Sequence, residues 1–156
     1  MKDDKKYTIA VLQDLIKTNK DEYLLFEVAS RRSDDNELKS LLVDYTCEKE
    51  KYIVKLESEV LRLGGCSAAS KNDSENSIEF YKASSFEENP NGLIEECLKK
   101  DDLALKRYFY AIRKNIMWEV IPIVAKQYFG SKSFYDQIKN ICMERPGRLL
   151  YKMGIN

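Results

Sequence analysis

Histidine is absent from all 156 residues. Its absence excludes Ser-His-Asp triads, imidazole metal ligands and histidine pH switches together. Glycine (6) and proline (3) are scarce, which leaves too few turn formers for an all-β fold. The four cysteines, Cys47, Cys66, Cys97 and Cys142, form no C-x-x-C pair, so neither a zinc site nor a dithiol redox motif is expected. Cys97 and Cys142 have apolar neighbours and read as small core residues. Net charge is absent too: 26 Lys and Arg balance 26 Asp and Glu, so no nucleic-acid partner is expected. No apolar run approaches the roughly 18 residues of a membrane span. The N-terminal Met1-Lys2-Asp3-Asp4-Lys5-Lys6 is too polar for a signal peptide, so the expected location is cytoplasmic.

What is present is helical periodicity. The spacing of Leu12, Leu15, Ile16, Asn19, Tyr23, Phe26 and Ala29 predicts a helix over about 7–32. Asp34, with Glu37 three residues on, predicts a capped start for a second helix over about 35–63, and Gly64-Gly65 predicts its end. Its stripe is Leu38, Leu41, Leu42, Tyr45, Tyr52, Leu56, Val60 and Leu63. Residues 66–77 read as a loop, and 78–86 as a short helix. Asn89-Pro90 reads as the cap and first residue of a third helix over about 90–113. A fourth helix is expected over about 118–144, provided that Pro122 falls in its first turn. Residues 146–156 form a tail. Two tight helical hairpins joined by about 25 residues make an all-α, ferritin-like four-helix bundle with a long crossover.

The segments Val11-Leu12-Gln13-Asp14-Leu15-Ile16, Leu38-Lys39-Ser40-Leu41 and Leu61-Arg62-Leu63-Gly64-Gly65 carry a resemblance. So does the block Asp101-Asp102-Leu103-Ala104-Leu105-Lys106-Arg107-Tyr108. Together, over about residues 8–142, the chain resembles a bacterial family of ferritin-like four-helix-bundle proteins of unassigned function. The resemblance implies the fold and no established activity. Members of that family often carry His and Trp after the Gly-Gly loop; this chain has no His, and its one Trp is Trp118.

Metal-binding bundles place carboxylates and Glu-x-x-His motifs on inward stripes. By spacing, Glu22, Glu48 and Asp101 fall on or beside the stripes and are the candidate metal ligands. The position three after Glu48 is Lys51, and Gln127 is the best candidate on the fourth helix. Neither an ammonium nor an amide replaces imidazole on iron, so no di-iron chemistry and no cofactor are expected. Two readings of the three acids stay open. They are boundary residues that reach solvent or pair with Lys51 and other cations, or they form an all-oxygen site for Mg²⁺, Ca²⁺ or Mn²⁺. The ten Tyr and six Phe read chiefly as core and boundary aromatics, with Tyr23 and Tyr110 as candidates for a dimer face. The expected function is therefore a non-catalytic structural, stress-related or interaction module, with a homodimer or another protein as partner. The alternative is a carboxylate-based metal- or small-ligand-binding protein.

Overall fold

The computed structural model describes residues 2–66 and 90–144. It contains four helices and, among the described residues, no strand: α1 (Lys2–Arg32), α2 (Asn36–Arg62), α3 (Pro90–Arg113) and α4 (Ile121–Glu144). The expected short helix at 78–86, the Pro146-Gly147 stop and the tail lie outside the described residues.

Local chemistry sets the ends. The cap of α2 is Asp35, not Asp34: its carboxylate accepts from the backbone N–H groups of Glu37 and Leu38 at 3.1 Å each. Asp35 is buried at the corner while Asp34 is exposed, so the cap that also fits the packing is used. At the other end, Gly64 adopts φ +87°. The Gly65 N–H then reaches back to the Val60 carbonyl at 2.8 Å and the Gly64 N–H to that of Leu61 at 3.0 Å, a Schellman ending. Gly65 serves packing as well, since a β-carbon there would lie 2.8 Å from the side chain of Ile9. α4 begins at Ile121 rather than Trp118, because residues 117–120 first make a turn. Thr8 ties that turn down by accepting from the Met117 N–H at 3.0 Å. Pro122 consequently falls in the first turn, where its missing N–H would have had no helical partner.

α1 packs against α2 and α3, and α4 against the same two. Gln13 meets Cys66, and Lys20 meets Glu57, so α1 and α2 run in opposite senses. Two apolar clusters fill the interior. One gathers Leu25, Phe26, Leu42, Tyr45, Leu93, Cys97 and Ile138; the other gathers Leu12, Leu15, Ile16, Leu56, Val60, Val120 and Val124. Each draws on all four helices or their flanking turns, so burying the stripes holds the helices together. Among the expected core residues, Tyr23, Leu41, Leu98, Ile112, Ile121 and Tyr128 are half-buried at the edges of these clusters.

Candidate functional site

Between the two apolar clusters lies a polar layer, built by one residue from each of three stripes. On α1, Glu22 follows Asn19 by three residues and precedes Phe26 by four, the spacing of a single helix face. On α2, Lys49 follows Tyr45 by four residues and precedes Tyr52 by three. On α3, Asp101 follows Cys97 by four and precedes Tyr108 by seven. Helical geometry thus turns all three inward, and Glu22, Lys49 and Asp101 are essentially withdrawn from solvent.

The Lys49 Nζ lies 3.2 Å from Glu22 Oε1 and 3.5 Å from Asp101 Oδ1. It also faces the Tyr45 ring, 3.9 Å from the centroid, and the Phe26 ring at 5.1 Å, both favourable for a cation. Tyr45 is clamped in turn. Its O–H donates to Asp101 Oδ1 at 2.7 Å, its face stacks on Phe134 at 4.6 Å, and Phe26 meets it edge-on at 5.1 Å. α4 therefore contributes a ring rather than a charge to this layer.

One ammonium faces two carboxyl groups. Burial pushes the Glu22 carboxyl well above its usual range; the Lys49 charge opposes this and the Asp101 charge adds to it. Lys49 approaches Glu22 at ion-pair distance but off the hydrogen-bonding direction, so both Glu22 oxygens lack a hydrogen-bond partner. The Tyr45 hydroxyl is also driven well up, by burial first and then by the charges of Asp101 and Glu22. Burial likewise raises the thiols of Cys97 and Cys142, in keeping with inert core cysteines.

A second, neutral polar chain lies one helical turn away. Asn19 Nδ2 donates to the Leu15 carbonyl at 2.8 Å and to Tyr108 Oη at 2.6 Å. The Tyr108 O–H donates to Gln127 Oε1 at 2.7 Å, and Gln127 Nε2 donates to the Tyr52 carbonyl at 3.3 Å. These contacts cross all four helices.

Of the three candidate ligands, the structure brings Glu22 and Asp101 together and leaves Glu48 apart. Glu48 is one residue from Lys49, about 100° around the helix, and its half-exposed side chain pairs with Lys51 at 3.9 Å. The boundary reading therefore describes Glu48 and not Glu22 or Asp101. Lys49 is the residue that spacing arguments from Glu48 passed over. Its signal was available: a lysine three and four residues from two stripe tyrosines occupies a core position. Gln127, considered as a ligand, is buried and spends its amide on Tyr108 and Tyr52. As a test of fit for a metal, the donor set fails. Lys49 Nζ already stands between the two carboxyls, and among the described residues no three His, Cys, Asp or Glu side chains are placed to share an ion. No described helix is long and apolar enough to cross a membrane.

The chain belongs to the family described as a domain of unknown function (DUF2383), whose model matches residues 7–114. The match contains Glu22, Lys49 and Asp101 and stops before α4, whereas the sequence resemblance extended to about residue 142. No curated protein matches the chain.

Proposed function

We propose that this protein is a non-catalytic, cytoplasmic, ferritin-like four-helix bundle acting as a structural, stress-related or protein-interaction module. One observation carries the reading: an ammonium fixed to the chain holds the interior position where a carboxylate-bound cation would sit. A site occupied this way offers no imidazole, and Lys49 Nζ stands within ion-pair distance of both acids while Tyr45 holds Asp101.

The register of the helix pairs supports the bundle topology. Tyr108 meets both Asn19 and Gln127, Arg107 meets Thr18, and Tyr45 meets Phe134. Neighbouring helices then alternate in sense and α2 runs parallel to α3. The end of α2 and the start of α3 then lie at opposite ends of the bundle, about 40 Å apart along a 27-residue helix, the placement that a ferritin-like crossover has. Exposed Tyr110, Trp118 and Phe129 favour a protein partner over a solitary life.

Elemental analysis and Mn²⁺ titration of the purified protein test the reading. The expected result is no stoichiometric iron, manganese or zinc and no saturable uptake. About one or two ions per chain, the content of a working bundle site, would overturn it in favour of a carboxylate-based metal-binding protein.

A further inference from the structure

The polar layer comes close to the surface on one side. A cleft of about 180 Å³ lies between α1 and α3, bounded by Thr18 and Asp21 on one helix and Lys99, Ala104 and Arg107 on the other, and Glu22 forms part of its wall. Behind that wall both Glu22 oxygens are covered from solvent and neither has a hydrogen-bond partner, with the side chain 97% buried. A covered carboxyl group with unused lone pairs behind the wall of an open cleft is placed to take up and release a proton whenever α1 and α3 part locally.

We propose that the Glu22–Lys49–Asp101 cluster is a proton-binding site that exchanges with solvent through the cleft between α1 and α3. Loss of its proton loosens α1 from α3.

The neighbouring groups leave Glu22 as the carboxyl group without a hydrogen-bond partner on either oxygen. From α2, the Lys49 Nζ lies near Asp101 and faces two aromatic rings, and the Tyr45 hydroxyl is committed to Asp101. From α3, Asp101 accepts both of those contacts, and the buried Cys97 thiol is driven up beyond easy ionisation. At the cleft mouth, Lys99, Lys100 and Arg107 of α3 stand against Asp21 of α1 and Glu96 of α3, so neither sign dominates. α4 supplies the Phe134 ring and Ser131, which carry no charge. With Glu22 protonated, the cluster holds one positive and one negative charge. When it ionises, two negative charges face each other across the α1/α3 seam with one ammonium between them, in a medium that screens poorly.

The direction of the pH effect follows. In the unfolded chain Glu22 loses its proton near the ordinary glutamate value of about 4.3. In the folded protein, burial holds the proton to higher pH. Between the two values the native state binds more protons, so this contribution to stability is complete in acid and is lost as pH rises through the folded value.

Denaturation midpoints of the full-length protein and of Glu22→Gln, measured from mildly acid to alkaline pH, test the proposal. The wild type should lose midpoint as pH rises, and Glu22→Gln should lose most of that slope. Equal slopes in both proteins would overturn the proposal. Infrared difference spectra supply a measurement that does not depend on variant stability. At pH above the ordinary glutamate range the wild type should show the carbonyl stretch of a protonated carboxylic acid, absent from Glu22→Gln, and its shift in D₂O should outpace global unfolding. If the band is missing from the wild type, no proton is bound; if its shift waits for unfolding, the cleft is not the route.

Discussion

Asn19, Tyr108 and Gln127 form a neutral chain of linked hydrogen bonds that leaves one oxygen, Asn19 Oδ1, without a partner, whereas one turn further along α1 the Glu22–Lys49–Asp101 cluster leaves three carboxyl oxygens without hydrogen bonds. Both groups are buried and both join several helices. They differ in how they meet the cost of leaving water. A neutral network needs only geometry, and each satisfied bond adds a modest net stabilisation of about 1 kcal/mol. A charged cluster needs opposite charge, and one ammonium does not neutralise two carboxylates. The neutral chain fixes helix register; the charged cluster makes the interior sensitive to protonation and to the loss of any one member.

The sharpest way to break this contrast is to remove the central cation. Lys49→Met preserves much of the side-chain volume but strands two carboxyl groups, and the expected loss is about 3–5 kcal/mol, the range for a buried pair that loses one partner. Urea denaturation near neutral pH checks it, and a loss below about 1 kcal/mol, the scale of an exposed ion pair, would show that the cluster is not held by its ammonium. Tyr108→Phe probes the neutral chain. Gln127 Oε1 and one Asn19 N–H would lose their partner, at an expected cost of about 1–3 kcal/mol. Should Tyr108→Phe cost as much as Lys49→Met, the two groups would not differ in kind. A pair of substitutions at the α2 start gives the smallest effects and sets the scale for a polar contact outside the interior. Asp35→Ala should lose about 1 kcal/mol as a missing cap, while Asp34→Ala should stay within about 0.5 kcal/mol, as exposed substitutions do. The thermal midpoints of the two variants check their order, and a reversed order would place the cap at Asp34.

The helices were legible because apolar residues recur at helical spacing and because Gly64-Gly65 and Pro90 mark ends by simple backbone chemistry. The start of α4 was less so: Trp118, Val120 and Ile121 extend an apolar pattern through a turn, and periodicity does not distinguish a turn from a first helical turn. Asp34 and Asp35 are adjacent caps of equal intrinsic quality, and burial chooses between them. Glu22 and Asp101 were found by their stripe positions, but their surroundings were not, since the deciding residue, Lys49, belongs to a type that ordinarily faces water. Local spacing placed Glu48 with them; only the rotation of α2 within the assembly shows that Lys49 points inward in its stead.

Gly130 gives the fold a memory of the order in which it can change. The Tyr52 hydroxyl rests against the bare backbone of α4 at this point, in the space that a β-carbon would take. Burial raises that hydroxyl to about 12, so it stays neutral in its niche. Any larger residue at 130 would have to expel a ring whose own backbone carbonyl accepts from Gln127. A drifting lineage can therefore shrink position 52 first and fill position 130 afterwards, but the reverse path passes through an overpacked intermediate. Two positions far apart in the chain are bound into a single sequence of permitted steps.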